Sequence, residues 1–464
     1  MVIEFAHSPL VTFILGLAAV VLMLVVLDLP AFVGLIISAF VVGLINTVFV
    51  PDFGPSEAAG RVATEFGDGM AGIGIPILMA AIIGKAMLES GAAQRIVRGF
   101  QGVLGSGNSD IALWGSSTVL AIPVFFDSVF YLMAPLARSM RARVGRDYTL
   151  FIVVVGAGAA TAHVFVPPTP GPLAVAEEIG ADLGMTIAVG VVTAVPAALM
   201  AGIVYGRWLN KRLDIPLRDA MATSTDELEE LANRKTGNLP GVLESAAPVL
   251  LAVALVGSYT FVDSFAGVIP QLAALEPYVV FLGDKNVALT IAAMAAAWTF
   301  YRHSDMSTDA WTEEMTEALK SGGNIAAITA AGGAYGALLA ASGVGDYITG
   351  ALSSVGIPLL VSAWLIAAIV RVAQGSATAA MLTAAGIMAP QVPELSVHPA
   401  FLVMVIGAGG NICSWYNDSG FWLVKEIGGL TQAETLKTWT VLTTIISVTG
   451  LVTTLVVSSA VQLI

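Results

Sequence analysis

The sequence predicts an all-α integral membrane protein: two inverted repeats, about ten transmembrane helices, two re-entrant hairpins and two broken helices. Three observations lead there. Of the 464 residues, 57% are hydrophobic and only 11% are charged. Soluble domains carry roughly 25% charged residues, so this chain has too few to cover a globular surface. Apolar segments near the bilayer-crossing length recur along the chain. Finally, Gly156-Ala157-Gly158 returns 251 positions later as Gly407-Ala408-Gly409, and both copies run into polar, helix-breaking stretches. Breaks at matching places in two halves of a membrane protein point to a transporter's binding site.

Leu10 to Leu27 reads as the first span, too long for the core of a cleaved signal, and Ala31 to Val50 as the second. Residues 51–68, with Asp52, Glu57, Glu65 and Asp68 against Arg61, read as a polar loop before a Gly-rich third span, Met70 to Glu89. Arg95 and Arg98 follow on a short amphipathic piece. Two apolar arms, Ile111 to Ile122 and Val129 to Met140, flank Pro123-Val124-Phe125-Phe126-Asp127-Ser128. Each arm is too short to cross comfortably. The pair reads as a hairpin that enters and leaves on one side, with one kinked helix or two short spans as alternatives. Leu150 to Val166 begins the first broken helix. The four prolines of Pro167-Pro168-Thr169-Pro170-Gly171-Pro172 remove donors and clash with the preceding turn. The helix resumes over Leu173 to Ile179, and Thr186 to Trp208 is the next span. The charged stretch after Arg207, Lys211 and Arg212 has too few large apolar groups to bury a core. The expected division is a first repeat over 1–209, a connector over 210–240 and a second repeat over 241–464.

The second half repeats the plan. Leu243 to Val262, Val279 to Phe300 and Ile325 to Ala341 are spans. Gly84, Ser90 and Gly91 align with Gly336, Ser342 and Gly343 at an offset of 252. Ile357 to Val372 and Met381 to Met388 flank Gln374-Gly375-Ser376-Ala377-Thr378, the second hairpin tip. The second break lies within Gly407 to Trp422, and Leu436 to Val457 is the last span.

Counting the hairpins as not crossing leaves five spans per half, and an odd number inverts the second repeat. Arg95, Arg98, the cluster Arg138, Arg141, Arg143 and Arg146, and Arg207, Lys211 and Arg212 then share one side, which the positive-inside rule makes cytoplasmic. Both termini fall outside, in an inner (cell) membrane. The acidic stretch from His303 to Glu317 falls inside as well, and acidic residues weigh little in this rule.

The net charge of −13 argues against nucleic acid as a partner. Neither a Walker motif nor a zinc-type Cys/His cluster is present, so no cofactor, metal or enzyme activity is expected. The single cysteine, Cys413, reads as a small packing residue. Helix ends at the four breaks offer N–H groups suited to an anion. Ser128, Thr169, Ser376, Thr378, Asn411, Ser414, Asn417 and Ser419 add neutral donors and acceptors suited to a polyhydroxylated molecule, with Pro168, Gly171 and Gly375 shaping the breaks. Asp127, His163 and Asp418 are the ionisable groups there and the candidates for proton coupling. Either carboxylate could instead cap a re-formed helix. Asp127 leads, because Phe125, Phe126 and Phe130 give apolar surroundings suited to a carboxyl that picks up and releases a proton near neutrality. Asn417 and Ser419 beside Asp418 favour its charged form. Arg371, Lys85, Lys425 and Glu426 read as interfacial or snorkelling, and Asp284-Lys285 as interfacial.

The segments I-P-V-F-F-D (122–127), H-V-F-V-P-P-T-P-G-P (163–172), R-V-A-Q-G-S-A-T-A-A-M (371–381) and W-Y-N-D-S-G-F-W (415–422) resemble the gluconate permease (GntP-type) family of the ion transporter superfamily. The resemblance runs essentially end to end. Thr169 departs from it, standing where the family pattern P-P-H-P-G-P has His. The resemblance implies a secondary active transporter that takes up gluconate or a related sugar acid with protons. It also implies an elevator-type homodimer, in which a scaffold carries the contact and a mobile part holds the hairpins and broken helices. The expected function is therefore proton-coupled uptake of a small hydroxylated carboxylate across the bilayer. Sodium coupling is the alternative, since Asn, Ser and backbone carbonyls at broken helices suit Na⁺; a channel or an intramembrane enzyme is the more distant one.

Overall fold

A computed structural model describes residues 9–461 apart from 28, 51–52, 105–107, 123–124, 145, 219–238, 266–275, 305, 345–346, 348–349, 352–353, 355 and 416–417. The described residues form helices and no strands, in two series that fall before and after residues 219–238. The first series is α1 (Pro9–Val21), α2 (Ala31–Phe49), α3 (Pro55–Glu89), α4 (Ala92–Leu104), α5 (Ser109–Leu120), α6 (Phe126–Val144), α7 (Tyr148–Phe165), α8 (Pro170–Glu178) and α9 (Leu183–Asn210). The second is α10 (Val242–Phe265), the short α11 (Glu276–Gly283), α12 (Lys285–His303), α13 (Thr308–Ala340), α14 (Leu359–Gln374), α15 (Ala377–Met388), α16 (Pro399–Gly410), α17 (Ser419–Gly428) and α18 (Gln432–Ala460). The long helices α3 and α13 end at Glu89 and Ala340, 251 positions apart, the same spacing as the two Gly-Ala-Gly runs.

Seven of these helices are long and apolar enough to cross a bilayer, and the bent pair α11–α12 makes an eighth. Pro9–Leu24, Leu359–Val372 and Pro399–Gly410 are apolar but shorter. The expected count of about ten is reached only if the first helix and the second broken helix are included.

Both breaks fall where expected. α7 stops at Phe165, and α8 starts at Pro170 rather than at the expected Leu173, because prolines fit the first turn of a helix. α16 stops at Gly410 and α17 starts at Ser419. The second hairpin tip is tight: α14 ends on Gly375 at φ +86°, a conformation that favours glycine, and the Ser376 hydroxyl caps α15 by accepting from Ala379 N at 3.3 Å.

Two expectations need correction. The polar loop expected over residues 51–68 is helical from Pro55 onward. Glu57, Arg61 and Glu65 stand at i, i+4 spacing on a helix face, and Arg61 Nε lies 3.2 Å from Glu65 Oε1. The acidic stretch between His303 and Glu317 is likewise mostly the start of α13, capped by Ser307, whose hydroxyl accepts from Ala310 N at 3.3 Å. Three π-helical turns were not foreseen: Leu22–Val26, Leu199–Val204 and Leu436–Thr440.

Small residues set the packing. A Cβ on Gly69 would stand 3.2 Å from Ala330 Cα, and one on Gly322 would stand 2.8 Å from Ala81 Cβ. As α3 advances from 69 to 81, its neighbour on α13 recedes from 330 to 322, so the two long helices run antiparallel. Asn46 of α2 ties to them by donating from Nδ2 to Leu338 O at 2.7 Å. α7 is apolar on all sides and buried along its length except at His163, which makes it a central helix. α16 is buried throughout Ala400–Gly410. The end of α9 lies against the starts of α5 and α7: Arg207 Nη2 is 2.8 Å from Asp110 Oδ2, and Asn210 Nδ2 donates to Asp147 Oδ1 at 2.7 Å.

Candidate functional site

A cavity of about 330 Å³ opens where the breaks meet. Asp127 reaches it from the first turn of α6, Ala160 and His163 from the last turns of α7, and Pro170 from the start of α8. The α14–α15 tip contributes Arg371, Gly375, Ser376, Ala377 and Thr378. The second break contributes Asn411, Asp418 and Gly420, and the π-helical turn of α18 contributes Trp439. Close backbone approaches hold these pieces together. A Cβ on Gly171 would stand 2.9 Å from Met381 Sδ, and one on Gly410 would stand 3.2 Å from Ala377 O.

The second break is held by one carboxylate. Asp418 caps α17, its Oδ1 accepting from Gly420 N at 3.0 Å. Its Oδ2 accepts from Arg371 Nη2 at 2.5 Å and from the Ser414 hydroxyl. Ser414 in turn accepts from Trp439 Nε1 at 2.5 Å, and its carbonyl accepts from Thr440 Oγ1 at 2.5 Å. Trp439 also lies against Phe126, with ring centroids 4.8 Å apart, so the turn of α18 touches both the second break and the start of α6.

Residues that line the cavity carry unsatisfied polar atoms. Arg371 is 2% exposed, and its Nε and Nη1 have no hydrogen-bond partner among the described residues. The same holds for Asn411 Nδ2 and His163 Nδ1. Buried donors are almost always satisfied in folded proteins, and one left open costs about 1–3 kcal/mol. Four such nitrogens belong to three residues that line one cavity.

A family model described as GntP family permease matches residues 8–461. The chain belongs to this permease family. It is 32% identical to a high-affinity gluconate transporter of Escherichia coli K12 over 96% of this chain and 98% of that protein. It is 33% identical to a gluconate permease of Pseudomonas aeruginosa over 92% of each chain, and 30% identical to an L-idonate transporter of E. coli K12 over 97% of this chain and 99% of that one. Among solved structures it is similar to the Alcanivorax borkumensis YdaH transporter, with a TM-score of 0.59 at 15% identity, covering 93% of this chain and 98% of that one. The permease is thus a multi-pass membrane transporter rather than an enzyme.

Half of the fourteen positions singled out from the permease's sequence come together. Asp127, His163, Gly375, Ser376, Thr378, Asn411 and Asp418 all line the cavity. Ser414 lies beneath Asp418 with its hydroxyl committed to that carboxylate. Thr169 is buried and donates from Oγ1 to Val166 O at 2.7 Å, Gly171 packs against Met381 and Thr378, and Pro168 stands in the first break after a cis peptide bond. None of these four lines the cavity. Asn417 lies outside the described residues, as do the side chains of Ser128 and Ser419.

Arg371 is the residue that sequence reasoning misplaced. A snorkelling arginine reaches water, whereas this one is buried and paired to Asp418 across the cavity wall. Its signal was its position, one turn before the Gly375 tip. Of the other assigned charges, Lys85 is partly exposed and pairs with Glu89 at 2.9 Å and Glu314 at 2.6 Å, Lys425 pairs with Glu426, and Lys285 pairs with Glu177.

Proposed function

We propose that this permease carries out proton-coupled uptake of gluconate or a related small hydroxylated carboxylate, and that the cavity between the two breaks is its substrate site. The observation that carries the reading is Arg371: a buried guanidinium on the cavity wall with two nitrogens lacking acceptors. A planar fork of donors is the geometry that carboxylates match. Asn411, Ser376 and Thr378 stand around it to meet hydroxyls along the sugar-acid chain, with Asn417, Ser128 and Ser419 as further candidates from the sequence. Pro168, Thr169, Gly171 and Gly375 shape the walls, and Ser414 positions Asp418. Asp127, Asp418 and His163 are the groups proposed to handle the proton. Gluconate is the substrate named for several relatives sharing about a third of their residues with this chain, which supports the same substrate class here.

The architecture supports alternating access by an elevator-type motion of two inverted repeats, bounded at the connector 210–240. Antiparallel packing of the corresponding helices α3 and α13 is what inversion of one repeat against the other produces. The hairpins and broken helices form the carrier of this proposal, working as a homodimer in the inner membrane with both termini outside. Uptake of labelled gluconate into proteoliposomes under an imposed pH gradient tests the function. Accumulation that follows the pH gradient is expected. Accumulation that follows an imposed Na⁺ gradient instead, or no gluconate uptake at all, would refute it.

A further inference from the structure

We infer that Asp418 is the coupling carboxyl. A substrate carboxylate arriving at Arg371 displaces Asp418 from the guanidinium, Asp418 takes up one proton as it lets go, and transport is one anion with one proton, electrically neutral. The inference rests on the reading above of a proton-coupled sugar-acid permease and says which group does the coupling and with what stoichiometry.

The geometry of Arg371 sets up the exchange. Asp418 Oδ2 accepts from Nη2, while Nε and Nη1 are open. Both two-nitrogen edges of a guanidinium include Nη2, so a carboxylate docking on either edge shares that nitrogen with Asp418. The meeting takes place away from bulk water: Arg371 is 2% and Asp418 is 9% exposed. Two carboxylates against one guanidinium there repel each other, and a proton shared into the pair removes the repulsion. The other ionisable groups on the cavity wall are Asp127 and His163. Asp127 makes the crowding worse, but its carboxylate has no cationic partner among the described residues, whereas Asp418 is bonded to Arg371 itself and is the carboxylate that an anion docking there displaces.

Asp418 can become neutral without collapse of the break. Gly420 N still donates to Oδ1, which keeps the cap on α17. The Ser414 hydroxyl, which now donates to Oδ2, can turn and accept from the new carboxylic O–H, because a hydroxyl serves as donor or acceptor. With the cavity empty, Asp418 stays paired with Arg371, so no proton crosses without an anion. In balance, an O–H bond forms on Asp418 with a proton from the side the anion enters, and the Asp418–Arg371 pair is replaced by an anion–Arg371 pair. On the other side the anion leaves, the proton passes to water, and Asp418 pairs with Arg371 again. The cavity carries the same net charge loaded and empty.

The experiment measures proton uptake on gluconate binding to the purified protein, by calorimetry in buffers of different protonation enthalpy, beside transport in proteoliposomes. Wild type is expected to take up one proton per gluconate and to accumulate gluconate equally well with or without an imposed membrane potential at fixed pH gradient. Asp418→Asn keeps a capping side chain; it is expected to bind and exchange gluconate with proton uptake reduced from one to none. If wild type binds gluconate without taking up a proton, proton coupling itself fails. If wild type takes up a proton and Asp418→Asn still does, or if Asp127→Asn is the variant that loses it, proton coupling stands and the assignment to Asp418 is overturned. A marked stimulation by membrane potential overturns the neutral stoichiometry. Infrared difference spectra of wild type and Ser414→Ala locate the proton without altering Asp418. A carboxylic C=O band that appears with gluconate and shifts in Ser414→Ala is expected; a band indifferent to Ser414 overturns the assignment.

Discussion

Replacing Arg371 tests the substrate site most directly. Arg371→Gln removes the positive charge and the fork. A charged partner lost from a buried pair costs about 3–5 kcal/mol, and each 1.4 kcal/mol is about a factor of ten in Kd. Gluconate affinity is therefore expected to fall by roughly two to three and a half decades. The same substitution strands Asp418, whose Oδ2 loses its 2.5 Å partner, so the melting temperature is expected to fall too. The double variant Arg371→Gln/Asp418→Asn separates the two effects. The side-chain amide that replaces the Asp418 carboxylate keeps a capping oxygen for Gly420 N, and no unpaired carboxylate remains, so stability is expected to recover while affinity does not. Arg371→Lys keeps the charge and loses the fork, and is expected to bind between the extremes. Equilibrium binding of labelled gluconate and thermal unfolding in detergent read both quantities. A double variant that melts like wild type and binds gluconate with wild-type Kd would refute the role given to Arg371.

Ser376→Ala and Asn411→Ala each remove a polar group from the cavity wall; losing a hydrogen bond to a charged or polar substrate costs about 1.5–3 kcal/mol, roughly ten- to a hundredfold in Kd, and unchanged binding in a folded variant removes that residue from the site. Gly386→Ala sets a Cβ 2.6 Å from the backbone carbon of Gly336, a neighbour that cannot swing away, so overpacking of about 1–3 kcal/mol should appear as a lower melting temperature; no change would mean α13 and α15 pack more loosely than described. Cysteines at Ser128 and Ser376, on a background with Cys413→Gly that suits the φ of +48° at that position, should change their labelling from the two faces of the membrane as gluconate is added. Labelling that ignores both face and substrate would argue against an elevator-type motion.

Much of the fold was legible because its determinants are local. Pro167 and Pro168 end a helix whatever surrounds them, and α7 stops at Phe165, while Pro170 and Pro172 fit the first turn of α8. Gly375-Ser376 combines a residue that tolerates positive φ with a capping hydroxyl, and the tip forms there. Helix starts on polar ground were harder to read. Residues 51–68 look like a loop when judged by charge, because a membrane reading equates polarity with the region outside the bilayer. The i, i+4 spacing of Glu57, Arg61 and Glu65 was the better guide, and it describes a helix that begins in polar surroundings and runs on into apolar ones. The π-helical turns at Leu199–Val204 and Leu436–Thr440 leave no such mark, since their residues are as apolar and as helix-compatible as their neighbours.

The site was legible as a set of places and less so as a set of roles. Ser414, Thr169 and Asn411 are the same kind of evidence in a sequence: small polar residues where an apolar helix fails. Their hydrogen bonds divide them. The hydroxyl of Ser414 is taken by Asp418 and Trp439, and that of Thr169 by Val166 O, so both hold a break together and offer little to a ligand. Asn411 Nδ2, His163 Nδ1 and two nitrogens of Arg371 are left without a partner, on residues that line the cavity. A buried polar group that is fully bonded is part of the frame; one left open on a residue that lines the cavity is a candidate partner for an occupant. That accounting is non-local. Arg371 and Asp418 are 47 positions apart, and only the fold of the α14–α15 tip back onto the second break brings them to 2.5 Å. Depth decides the matter as well. An arginine one turn before a hairpin tip looks like any arginine near a helix end, and the difference lies in what surrounds that end: here it is the protein's own cavity, where the guanidinium is paired with Asp418 rather than with water.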